Sequence, residues 1–279
     1  MGAVRAMLAI ASFAVLAACG AVADVPSDAG ASDAAVDASD ATTLSFKRRT
    51  NDGFVGLQST RGNATNNGTA FVHFGTLSDC GEATFEGCTV WDCPSDVQPP
   101  GKSVAAGTVV VEGTTPPVTI VPDKTYYAVQ HLNGQLWGGG EKIRARAEGN
   151  TAPAFDLSVV APSYVTVTSP TLSPKIMISR SKDFVVTWSG GGEGKVVVTL
   201  QVYQSSVGPG MGVDCGFPAS AGSGKIPQEV LRVLPANWKR NSVQVTSQSM
   251  AEVASQGWHV SLNAVANAEA NGYGDFVFE

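Results

Sequence analysis

The chain has 279 residues, 43% of them apolar and only 15% charged, with a formal net charge of −6 and a pI near 5.1. Those values exclude a multi-span membrane protein, a basic nucleic-acid binder and a collagen-like chain. They predict one large or two ordinary domains. At the N-terminus, Arg5 supplies one positive charge, and a run of apolar and small residues follows from Ala6 to Ala18. This layout predicts a secretory signal over residues 1–18, too short to span a bilayer.

The run closes in Leu16-Ala17-Ala18-Cys19-Gly20. A Leu, two small residues and a Cys resemble the lipobox of bacterial lipoproteins. The resemblance implies transfer of a diacylglyceryl group to the Cys19 thiol, cleavage before it and acylation of the new amino terminus. Two or more acyl chains hold a protein stably on a membrane where one does not. Gly20 rather than Asp after the Cys favours the outer membrane under the enterobacterial sorting pattern. Residues 19–43 then read as a tether of Ala, Asp, Ser, Val and Gly, with five aspartates and no Lys, Arg or aromatic residue. Such a segment buries too little apolar surface to offset the entropy of ordering. Its aspartates lack the order of an EF-hand calcium loop. The tether would average roughly 25–30 Å and reach about 80 Å when stretched. Beyond residue 43, 17 bases stand against 19 acids, so much of the acidity belongs to the tether.

From Leu44 onward the pattern has period two and is rich in β-branched residues. Thr108–Glu112, Tyr164–Thr168, Asp183–Trp188, Lys195–Tyr203, Ser242–Thr246, Trp258–Leu262 and Asp275–Phe278 all read as strands. Short strands punctuated by Gly, Pro and Asn predict an all-β fold of two immunoglobulin-like β-sandwich units, 44–160 and 161–279. One continuous β domain is the alternative. Gly190–Gly194 reads as a hairpin connection, since neither a helix nor a Lys-Ser/Thr pair follows, as a phosphate loop requires. The one helical segment is Pro227–Pro235, with Pro at its first turn, Glu229 near its positive end and a terminating Pro.

Several stretches carry a wider likeness: Gly87-Cys88-Thr89-Val90-Trp91-Asp92-Cys93-Pro94, Pro153-Ala154-Phe155, Ile178 to Gly191, and Cys215-Gly216-Phe217-Pro218 to Gly224. Together they resemble a group of uncharacterised lipoproteins from myxobacteria, over nearly all of residues 44–279. The resemblance implies a scaffold and a lipobox signal, and it carries over no catalytic, cofactor-binding or metal-binding residue.

The residues themselves offer little chemistry. His73, His131 and His259 form no His-x-His, His-x-x-x-His or H-E-x-x-H pattern, and no G-x-S-x-G elbow occurs. Neither a cofactor nor nucleic acid is implied. Loop carboxylates such as Asp92 and Asp96 would serve a hydrolase only at a defined separation, which sequence does not show. Trp188 reads as the core Trp of an immunoglobulin-like strand, and Trp258 as packing inward. Trp91, Trp137, Tyr126 and Tyr127 fall in loop-like contexts and are the candidate ligand-contact aromatics, with packing into the core beneath a loop as the alternative.

With Cys19 given to lipid, Cys80, Cys88, Cys93 and Cys215 remain. An exported location favours disulfides over zinc, and the spacing lacks a C-x2-C knuckle. Cys88 and Cys93, five apart, face opposite sides of one extended segment. Cys80 and Cys88 flank a turn-like stretch and are the favoured pair, leaving Cys215 as a buried thiol or a staple to Cys93. The sequence thus predicts a lipid-anchored envelope protein acting as a binding or structural module, with an envelope polysaccharide or protein as partner. The alternative is an envelope hydrolase acting on polysaccharide or peptide.

Overall fold

The computed structural model describes residues 44–47, 51–61, 67–75, 80–93, 103–205, 210–238, 240–268 and 272–279, and Thr43–Glu279 forms one compact unit. The signal, Cys19 and the tether lie outside the described residues, as does Asp96. Among the described residues, twenty strands run in chain order: β1 Asp52–Thr60, β2 Asn67–Gly75, β3 Gly81–Phe85, β4 Cys88–Cys93, β5 Val109–Glu112, β6 Val118–Ile120, β7 Pro122–Asp123, β8 Tyr126–Tyr127, β9 Gln130–Asn133 and β10 Lys142–Ala147. They continue with β11 Phe155–Val160, β12 Val165–Ser169, β13 Lys175–Ile178, β14 Phe184–Gly190, β15 Lys195–Tyr203, β16 Gly210–Pro218, β17 Ser223–Ile226, β18 Arg240–Ser255, β19 Trp258–Asn267 and β20 Tyr273–Phe278. The α-helix α1 spans Gln228–Val233, inside the predicted segment and with Glu229 in its first turn.

The period-two pattern explains the strands. In β15 the alternate residues Val196, Val198, Leu200 and Val202 are fully buried, while Thr199, Gln201 and Tyr203 face outward. Each such buried Val or Leu contributes about 1.5–3 kcal/mol. These residues belong to a core walled on one side by β12, β14 and β17, and on the other by β13, β20, β18, β15 and β16. That is the two-sheet arrangement of an immunoglobulin-like sandwich. Trp188 on β14 lies in it, 4% exposed, and its indole Nε1 donates to the Ala219 carbonyl at 2.8 Å. A second core lies between β11-β10-β5-β6 and β2-β1-β19, built from residues such as Val55, Leu57, Phe74, Val109, Ile143 and Leu157.

The change of core falls between Tyr164 and Val165, close to the expected boundary at 160/161. Strand pairing, however, crosses that boundary twice. Strand β19, from the C-terminal half, pairs in parallel with β1 from Asp52↔His259 to Ser59↔Ala266, and puts Val260, Leu262, Ala264 and Ala266 into the N-terminal core. The β3–β4 hairpin, from the N-terminal half, pairs with β16, and Cys88 and Val90 join the C-terminal core. Residues 44–160 and 161–279 are therefore not separate sandwiches; each completes itself with strands of the other. The 16-residue β18 is about 50 Å long at strand rise and serves both, with Val243 and Val245 in one core and Ala251 and Val253 against the other.

Gly190–Gly194 also departs from expectation. It joins β14 in one sheet to β15 in the other and is a crossover between layers, not a hairpin. Gly190, Gly191 and Gly194 there have φ of 81°, 87° and 91°, and a Cβ on Gly194 would stand 2.5 Å from the Gln248 carbonyl oxygen. Only glycine accepts both demands.

Candidate functional site

The cysteine geometry begins with a turn. Glu86 and Gly87 have φ of 50° and 77°, the two-residue hairpin turn with both central residues left-handed. It sets the β3–β4 register from Phe85↔Cys88 to Gly81↔Asp92, so Cys80 arrives opposite Cys93 rather than Cys88. The bonds are Cys80–Cys93 and Cys88–Cys215. The favoured Cys80–Cys88 pair is thus overturned, because that register places Phe85 across from Cys88. Cys215 is neither a free thiol nor a staple to Cys93. It faces Cys88 across the β4–β16 ladder, where both side chains are buried in the core.

Among the four candidate aromatics, Trp137 is only 2% exposed, and its Nε1 donates to the Pro162 carbonyl at 3.1 Å. Tyr127 is also buried: its hydroxyl accepts from the Ala106 amide and donates to the Gly107 carbonyl. Both rings fill the N-terminal core beneath loops and present no ligand surface. Tyr126 is exposed and donates its hydroxyl to Asp123 at 2.6 Å. Trp258, expected to pack inward, is half-buried against the N-terminal core.

Trp91 is different. It lies on β4, which adds to the edge of the C-terminal sheet, and it is half-buried on the outer face. Its six-membered ring occupies the space above Gly212 of β16. Two residues along β16, the Tyr203 ring covers Gly210 in the same way, 2.7 Å from where a Cβ would stand. The two glycines leave room for two rings close against the sheet.

Polar side chains fill the rows around the rings. Glu82, Trp91, Gly212, Gln201 and Ser242 stand in one cross-strand row, and Thr89, Asp214, Thr199 and Gln244 in the next. Thr199 Oγ1 donates to Asp214 Oδ1 at 2.5 Å, and the Trp91 indole N–H donates to the same carboxylate. Burial pushes the Asp214 carboxyl up to about 6, against these two hydrogen bonds, and the Glu82 carboxylate adds to the rise. Burial likewise raises the Tyr203 hydroxyl. The face thus offers two flat rings, a proton-accepting group near neutrality and several hydroxyl and amide partners. Sequence reading found Trp91 and missed the rest. The signal available was the outward parity of Thr199, Gln201 and Tyr203, together with glycines two apart on the neighbouring strand.

The histidines do not converge. His73 is on β2, where burial lowers its basicity, His131 is on β9, and His259 is on β19. His259 Nε2 pairs with Glu252 at 3.3 Å, beside a hollow of about 480 Å³ walled by Asp52, Ser255, Gln256 and Trp258. Among the described residues no three His, Cys, Asp or Glu side chains gather as a metal site, and no helix is long and apolar enough to cross a membrane.

No protein-family model and no curated protein matches the chain. Among solved structures it is similar to a chain from the crystal structure of Dpr11 IG1 bound to DIP-gamma IG+IG2, 10% identical over 77% of this chain and 96% of that one, with a TM-score of 0.17. It is also similar to the Ca2+-stabilized adhesin that helps an Antarctic bacterium reach out and bind ice, 13% identical over 73% of this chain and 56% of that one, with a TM-score of 0.17. At those scores neither likeness bears on function. Strand order and side-chain placement carry the reading instead.

Proposed function

We propose that the chain is a lipid-anchored cell-envelope protein whose interlocked sandwiches act as a binding module. The anchor reading rests on the Leu16-Ala17-Ala18-Cys19 motif and on the Asp-rich stretch that follows, long enough to carry a folded unit clear of a membrane surface. Two disulfides are in keeping with an oxidising, exported location. Gly20 after the Cys favours the outer membrane. The observation that carries the binding half is the Trp91 face, where a large ring and unlike polar groups share one sheet surface instead of the plain charged face of a solvated sheet.

Palmitate labelling of the wild type and of Cys19→Ser tests the anchor: label in the first and none in the second is expected, and equal labelling overturns it. For the binding half, the full chain purified in mild detergent should co-sediment saturably with envelope fragments. Co-sedimentation no greater than that of a detergent-solubilised control protein would remove that reading.

A further inference from the structure

We propose that the outer face of β4-β16-β15-β18 binds the uncharged sugar rings of a polysaccharide, with Trp91 as the stacking platform. This rests on the binding reading above and names its ligand class.

A pyranose ring has an apolar C–H face and a rim of hydroxyl groups. It therefore needs a flat aromatic surface flanked by hydrogen-bonding side chains that both donate and accept. Trp91 provides the surface: Gly212 leaves room for its half-buried indole to sit close against the outer face of the sheet. The Tyr203 ring of β15, over Gly210 two residues from Gly212 on β16, continues the platform in the strand direction, so a linear chain of sugars can follow it. Glu82 accepts, Ser242 donates or accepts, and the Gln201 and Gln244 amides do both. The buried Asp214, itself held by Thr199, accepts from the indole N–H, so the platform is fixed in place before a ligand arrives.

Other partners fit this face poorly. A protein interface would have an apolar, charge-depleted centre, whereas the centre here holds Asp214 between Trp91 and Thr199. Nucleic acid needs a basic face and a uronate polymer a surplus of cations, whereas here Glu82, Asp214 and Asp275 are matched by Lys47 beside Glu82, Arg240 beside Tyr203 and Lys195 at the far end of β15. Charge complementarity thus selects a neutral glycan.

Affinity electrophoresis of the full chain, in native detergent gels containing soluble β-glucan, galactomannan or xylan, tests this, with alginate as the charged contrast. Retardation is expected in at least one neutral gel. Trp91→Ala should weaken it by about tenfold or more, the equivalent of roughly 1.4 kcal/mol. Gln244→Ala, which leaves both rings in place, should weaken it about threefold, and it decides the matter if Trp91→Ala lowers the melting midpoint. No retardation in any neutral gel, unchanged retardation in both variants, or stronger retardation in alginate would overturn the proposal. Envelope co-sedimentation that survives both substitutions would leave the general binding reading standing while removing this site.

Discussion

Asp214 titrates near 6 in the folded chain, against an ordinary value of 3.8, because burial disfavours its charged form. Between about pH 4 and pH 6 the native state therefore holds a proton that the unfolded chain has released. Stability from this group is fully present below about pH 4 and declines as the pH rises through about 6. Asp214→Asn removes the titration, so its stability should fall less than that of the wild type across this window. Urea melts of both proteins at several pH values check this; parallel profiles would show that Asp214 does not titrate there. Trp188 makes a different demand. Its ring fills the C-terminal core and its one polar atom is satisfied by Ala219, so Trp188→Ala leaves a cavity and takes one donor from the Ala219 carbonyl. A loss of about 3–5 kcal/mol is expected in denaturant melts, and a loss under about 1 kcal/mol would contradict its core role.

Among the elements, the β3–β4 hairpin has the most unusual position. It leaves the N-terminal half and is held to β16 by a ladder and by Cys88–Cys215. That bond joins residues 127 apart, whereas Cys80–Cys93 spans only 13. In the chain-entropy model the long closure stabilises by about 4–5 kcal/mol and the short one by about 3. Cys88→Ala with Cys215→Ala should therefore lower the guanidinium midpoint more than Cys80→Ala with Cys93→Ala. The reverse order would mean that the hairpin's own closure, not its attachment to β16, is what the cysteines protect. Both bonds keep β4 seated, and with it Trp91, so the long disulfide supports the proposed binding face as well as the fold.

At the scale of the whole molecule, β18 and β19 make the two cores interdependent. Without β19, the N-terminal core loses Val260, Leu262, Ala264 and Ala266, and β1 becomes an open edge. Residues 44–163 produced alone should therefore show no cooperative unfolding transition and little near-UV circular dichroism, while the full chain unfolds in one transition. A cooperative melt of that fragment would show that the N-terminal core closes without its borrowed strand.

The all-β class, the individual strands from Lys195–Tyr203 to Asp275–Phe278, the short helix before Pro235 and the burial of Trp188 were legible in the sequence, because each depends on local periodicity and a few flanking residues. The opposed faces of Cys88 and Cys93 were legible for the same reason. The Cys80–Cys93 pairing lay within reach, since Glu86-Gly87 is a two-residue turn whose register follows from its length. Cys88–Cys215, the parallel β1–β19 pair and the placing of Trp91 over Gly212 were decided by tertiary structure alone. Each joins residues far apart in the chain, and alternation reports which side of a strand is buried but not which strand lies beside it. The same limit left Trp137 and Tyr127 open between ligand contact and core packing: a loop-like neighbourhood of glycines fits either in sequence, and only the packed fold turns those rings beneath it.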